Sequence, residues 1–435
     1  MQRSVSAHTP SDCRHSGRFI PSDNGIGQLF RDYGEKYISV YRPSLLEIKL
    51  IRSIRVCKTP ALGGRIYECN SCGEKKYVYY SCGNSRCPKC QGIKRIQWQD
   101  KIAGTLFKTP YVHMVFTMPH LLNGLARGNS YAVYNCLMRS AWSSLKECCE
   151  DEKNLGAIPG AVMVLHTFGS DLKYHVHVHA LVSFGGIDHT DQWRWPKRKR
   201  KIVPFRQIRG VFRKHFLERL QSIYGQLDSR YNYKDLCDEL MKKSWCVHAE
   251  PATVNTKVIG EYLGKYICRI GLSKNRFHYD RVNNEVTILF KDYRNKDQQN
   301  GHAPKAELKM QPLAAILQIV QHCSPAYFQK CRYYGLHSSA CKIKYQNKIP
   351  ECIKNNPKSI RTLFQILHQM LGLQGLACSH CGAPDFQVTV IAADKKWITS
   401  WLNTIPGNKG SPFANSYKPS YISVHHGNEM LFSSL

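Results

Sequence analysis

The stretch VLHTFGSDLKYHVHVHALVSFGG, residues 164–186, decides the reading of this chain. Histidines at 175, 177 and 179 take every second position of a run otherwise made mostly of Val, Ala, Leu and Phe. Side chains alternate faces along a β-strand, so His175, His177 and His179 share one face while Val176, Val178 and Ala180 point to the core. The segment GSDL (169–172) predicts a hairpin that lays the preceding strand alongside, and that strand carries His166. Four imidazoles then converge on one surface patch. Imidazoles buried without partners are costly, whereas neutral imidazoles ligate Zn, Mn or Mg-like ions and leave positions for substrate oxygens. That is a catalytic metal geometry, not a structural one.

Working outward, YVHMVFTM (111–118), AVMVLHTF (161–168), YHVHVHALVSF (174–184) and VTILF (286–290) read as strands. Helical spacing over 131–149, 207–226 and 256–269 lies between them, which predicts a mixed α/β (α+β) core domain. A short helical pattern precedes it, with Leu45, Leu46, Ile48, Ile51 and Ile54 apolar, and the first residues form a polar tail. After about residue 300 the chain is expected to be helical. The segment WRWPKRKRKIVPF (193–205) reads as an exposed basic loop.

The cysteines group. Cys69/Cys72 and Cys87/Cys90 are two C-x2-C knuckles separated by 14 residues, a spacing that predicts four thiolates around one structural zinc ion. Gly73 supplies the tight turn after the first pair. Cys57 and Cys82 lie close enough to be alternates or members of a second site, and Cys378/Cys381 form a further single knuckle.

Lys and Arg total 62 against 31 acidic residues, a net charge of +31. That excess favours a polyanionic partner, because each phosphate neutralised releases condensed counterions. No apolar run approaches the roughly 18 residues that span a bilayer, and no secretory signal opens the chain. A cytoplasmic protein without a membrane partner is the expectation. Within TKVIGEYLGKYICR (256–269), Tyr262 and Tyr266 fall one helical turn apart; beside a metal that polarises a phosphodiester, a phenol can act as a covalent nucleophile.

Together, SCGNSRCPKCQ (81–91), YVHMVFTMPHLL (111–122), residues 164–186, YLGKY (262–266) and FQKCRYYGL (328–336) resemble the two-tyrosine HUH transposases of rolling-circle insertion sequences. These are of the insertion-sequence-ninety-one type, relatives of Helitron and the plasmid relaxases. The resemblance implies an HUH endonuclease domain (101–300) with a central antiparallel sheet flanked by helices. With the cysteine pairs, the polar start and the helical pattern after 300, the expected organisation is a tail (1–30), a zinc-binding module (31–100), that domain, and a helical C-terminal region (301–435) with a CxxC knuckle.

Carried over, His177 and His179 would bind a catalytic Mg2+ or Mn2+, with His166 favoured over His175 as third ligand. Tyr262 and Tyr266 would be the nucleophiles, forming 5′-phosphotyrosine. The implied partners are single-stranded and hairpin DNA at transposon ends and target DNA. No G-x4-GK[ST] segment is present, so unwinding would fall to host helicase and replication proteins. A plasmid relaxase or replication initiator, and a metal-dependent nuclease using activated water, are the alternative readings.

Overall fold

In a computed structural model, residues 25–199, 201–250, 272, 274–295, 303–354, 365 and 377–393 are described. Two helices open the fold: α1 (Ile26–Tyr41) and α2 (Leu45–Val56). Ser44 starts α2 with a capping box, its side chain accepting from the Glu47 N–H while the Glu47 carboxylate accepts from the Ser44 N–H at 2.8 Å. Strands β1 (Gly64–Cys69) and β2 (Lys75–Tyr79) follow, then α3 (Gly92–Thr105).

The centre is one antiparallel sheet. Its strands are β3 (Tyr111–Thr117), β4 (Ile158–Phe168), β5 (Tyr174–Ile187), the short β6 (Trp193–Arg194), β7 (Cys246–Ala249) and β11 (Cys331–Gly335). Their order is β11-β4-β5-β3-β7, with β6 beside β5. The hairpin of β4 and β5 turns at Gly169–Lys173, where the Leu172 N–H bonds the Gly169 carbonyl. Leu172 itself takes φ +60°.

Each face of this sheet follows from the two-residue period of its strands. Phe116, Met163, Leu165, Val176, Val178 and Ala180 form the floor of the main core. Helices α4 (Ser130–Glu150) and α5 (Phe205–Tyr224) cover it with Leu137, Leu145, Phe212 and Phe216. On the opposite face, Ile102 of α3 and Leu106 just after it pack on Tyr111, Val162 and Leu181. Beyond the reach of α3, the same face carries imidazoles.

Two smaller sheets complete the architecture. Strands β8 (Phe277–Asp280), β9 (Glu285–Lys291) and β10 (Lys305–Met310) pair in sequence order. They share a core with α1, α2 and the helix Pro312–Val320. Residues 286–290, expected in the central sheet, therefore belong to this separate meander, whose partners are its neighbours along the chain. The third sheet has the order β12-β1-β2, and its β12 (Phe386–Ile391) comes from the far end of the sequence.

The expected helical region after residue 300 is corrected by these strands. Among the described residues it contains β10, β11 and β12 beside the helices Pro312–Val320 and Ser339–Tyr345. Short strands such as RYYG and FQVTVI gain their ladders from distant partners, β4 and β1, which no local pattern reveals.

Candidate functional site

Pairing of β4 with β5 sets His166 directly opposite His177, and Val164 opposite His179. The ring nitrogens of His166, His177 and His179 lie within 4.8 Å of one another. The expected surface patch is in fact buried: His166 is 2% exposed, His177 8% and His179 7%. His175 stands apart, its ring tilted against His177 on one side and His120 on the other, and it is not a member of the trio.

One placement of protons that is consistent with these contacts leaves two lone pairs facing each other. His177 donates from Nδ1 to the His175 carbonyl at 2.9 Å, which leaves its Nε2 with a free lone pair. His179 Nδ1 is 2.8 Å from His113 Nε2, and His113 Nδ1 is 3.3 Å from the Glu250 carboxylate. A carboxylate only accepts, so in this placement the neutral His113 turns its Nδ1 proton toward Glu250 and accepts from His179 through Nε2. His179 Nε2 therefore also keeps a lone pair, and it faces His177 Nε2 at 3.0 Å.

Protonation does not relieve that apposition at neutral pH. Burial pushes His177 down to about 4 and holds His166 and His179 well below the usual imidazole range, with the neighbouring imidazoles adding to the effect. Two lone pairs at hydrogen-bond distance, with a third imidazole beside them, fit a divalent cation shared between them.

Sequence reasoning missed His113, Glu250 and Lys330. His113 lies on β3 across from Leu181, and its carbonyl accepts from the Glu250 N–H at 2.9 Å, so the pair is fixed by backbone as well as side chain. Lys330 is near enough for its charge to depress His166 further. The only signal for His113 was its place in the apolar run YVHMVFT. Tyr262 and Tyr266 lie outside the described residues.

The cysteines assort differently from the expectation. Cys69 and Cys72 meet Cys378 and Cys381, while Cys87 and Cys90 meet Cys57 and Cys82. The expected quartet of Cys69, Cys72, Cys87 and Cys90 is thus split between two clusters, because β1 and β12 join the first knuckle to the C-terminal one. Cys57 follows α2 and is fully buried with Cys87 in the core that includes α1 and α2.

Two aromatic segments also fall into place. Tyr334 stacks on Trp142 at 5.2 Å and Tyr333 joins the α3 side of the sheet, so the tyrosines of FQKCRYYGL pack within a strand of the central sheet. In the basic loop, Trp193 packs edge-on to Phe107 while Trp195 stays exposed. No helix among the described residues is long and apolar enough to cross a membrane.

Comparison with known proteins agrees with this architecture. The family described as "Transposase zinc-binding domain" matches residues 29–118, and the one described as "Putative transposase" matches 160–344. The chain is 30% identical over 340 residues to "Putative transposase y4qJ" of Sinorhizobium fredii, covering 75% of this chain and 83% of that protein. It is 25% identical over 349 residues to "Transposase for insertion sequence element IS801" of Pseudomonas savastanoi pv. phaseolicola, covering 78% and 82%. No solved structure matches the chain significantly. The chain belongs to the transposase family of the insertion-sequence-ninety-one type. It is a DNA-processing protein, and the zinc-binding domain together with the cysteine clusters supports bound Zn2+.

Proposed function

We propose that this transposase cuts and rejoins single-stranded DNA by the HUH endonuclease route, in rolling-circle transposition. In this reading His166, His177 and His179 hold a catalytic Mg2+ or Mn2+, and Tyr262 and Tyr266 are the nucleophiles. The observation that carries it is the convergence of His177 Nε2, His179 Nε2 and a ring nitrogen of His166. When bound, the divalent ion would draw charge from the scissile phosphate and so favour attack at phosphorus.

The chain's own groups do the rest. A tyrosine oxygen forms the bond to phosphorus while the 3′ oxygen departs with its bonding pair and takes up the phenol proton. The products are a 5′-phosphotyrosine and a free 3′-hydroxyl, so the phosphodiester energy is retained for rejoining. A second tyrosine allows a second cleavage, at the other end or at the target. Strand separation falls to host helicase and replication proteins, as the sequence has no P-loop. A net charge of +31 suits single-stranded, hairpin and target DNA, and a cytoplasmic setting at the nucleoid.

Cleavage of single-stranded oligonucleotides, taken from the DNA flanking the gene and supplied with Mn2+, tests the assignment. His177→Ala and His179→Ala are expected to lose cleavage while retaining oligonucleotide binding. Cleavage at the wild-type rate in either variant would overturn the role of the trio.

A further inference from the structure

The C-terminal knuckle lies outside both family matches, the later of which ends at residue 344, yet it closes on the N-terminal module. Its backbone repeats that of the first knuckle. Gly73 at φ +72° donates to the Cys69 carbonyl at 2.8 Å, and Gly382 at φ +75° donates to the Cys378 carbonyl at 2.9 Å. Next along, the Cys69 N–H bonds the Glu74 carbonyl at 2.9 Å and the Cys378 N–H bonds the Ala383 carbonyl at 2.8 Å. CNSCGE and CSHCGA are the same turn made twice, from segments more than 300 residues apart.

The two turns face each other. Cys69 Sγ is 3.6 Å from Cys381 Sγ, and Cys72 Sγ is 3.6 Å from Cys378 Sγ. A tetrahedral zinc ion with Zn–S of about 2.3 Å sets its sulfurs about 3.8 Å apart, close to these separations. All four sulfurs lie within 4.8 Å of one another, in a set that shares no residue with Cys57, Cys82, Cys87 and Cys90.

The sheet that carries these knuckles has almost no core. Strand β2 exposes four of its five residues, and β12 has no buried residue along its six-residue ladder to β1. Three short strands with both faces wet are marginal without a staple.

We propose that Cys69, Cys72, Cys378 and Cys381 bind a second structural zinc ion, which clasps the C-terminal segment 377–393 to the N-terminal module. The thiolates supply the ligands and the paired strands β1 and β12 bring them together, so metal binding and docking of the C-terminal segment are one event. Removing the metal releases that segment without disturbing the quartet around Cys57.

Zinc content of the full chain by mass spectrometry, after purification in zinc-containing buffer and desalting, tests this. Wild type is expected to hold one ion per chain more than Cys378→Ser/Cys381→Ser, whatever the histidine trio takes up. Because a misfolded variant would also lose zinc, Cys381→His is measured alongside with Co2+ in place of zinc. It is expected to keep the wild-type number of ions while its sulfur-to-cobalt absorption falls and the visible bands shift, as one thiolate becomes an imidazole. Equal zinc content in wild type and the double Ser variant, or a Co2+ spectrum untouched by Cys381→His, would overturn the site.

Discussion

Truncating His113 tests whether the proton chain behind His179 matters for metal binding. His113 touches no substrate in this account; it accepts the Nδ1 proton of His179 at 2.8 Å and so holds the His179 Nε2 lone pair toward His177. Removal of a partner that orients a metal-ligating histidine costs about 10- to 100-fold in affinity, or about 1.4–2.7 kcal/mol. The upper half of that range applies here. Both rings are buried, so in His113→Ala the His179 Nδ1–H loses its acceptor where water has little access, or the ring changes tautomer and turns its lone pair away. Mn2+ titration calorimetry on the full chain is expected to show about 30-fold or more weaker binding, with His113→Gln recovering part of it through its amide oxygen. Glu250→Gln acts one bond further out through an exposed side chain and is expected to cost less. Mn2+ affinity in His113→Ala equal to wild type, with the circular dichroism unchanged, would refute the positioning argument.

Acid should destabilise the fold through its buried imidazoles. Burial sets His177 at about 4 and His322 and His337 at about 3, against about 6.5 when unfolded, so on acidification below 6.5 the unfolded chain takes up protons that the fold refuses. Stability is expected to fall from pH 6.5 toward 4 by several kcal/mol, seen as a lower urea midpoint at pH 4.5 than at 7; equal midpoints would contradict it. At Gly335, φ is +55° and an added Cβ would stand 1.9 Å from the Pro159 carbonyl oxygen, so Gly335→Ala must push β11 off β4. A loss of at least about 2 kcal/mol is expected, and a wild-type thermal midpoint would show that this strand end yields freely.

What the sequence made legible was whatever is local. The β4 and β5 hairpin was readable because alternation over YHVHVHALVSF and a four-residue turn are both short-range patterns. Opposing His166 to His177 followed from that register. Cysteine spacing revealed each knuckle but not which knuckles meet, since pairing between them depends on the long-range ladder of β1 and β12. Helix α1 was legible in principle: Ile26, Leu29, Phe30 and Tyr37 recur at helical spacing and are all buried, but a polar preceding segment masked them. His113 was hidden by its company, a lone imidazole in an apolar strand, and Glu250 by distance, as β7 brings it beside β3 from more than 130 residues away.

The central claim is tyrosine-mediated transfer at the histidine site, and one gel tests it. The full chain is incubated with Mn2+ and a labelled single-stranded oligonucleotide from the DNA flanking its gene, then denatured in detergent. The account predicts a protein–DNA adduct that survives detergent, is absent in Tyr262→Phe/Tyr266→Phe, and is absent in His177→Ala. Cleavage that leaves no adduct and persists in the double Phe variant would contradict it, and would make the protein a nuclease that delivers water to phosphorus.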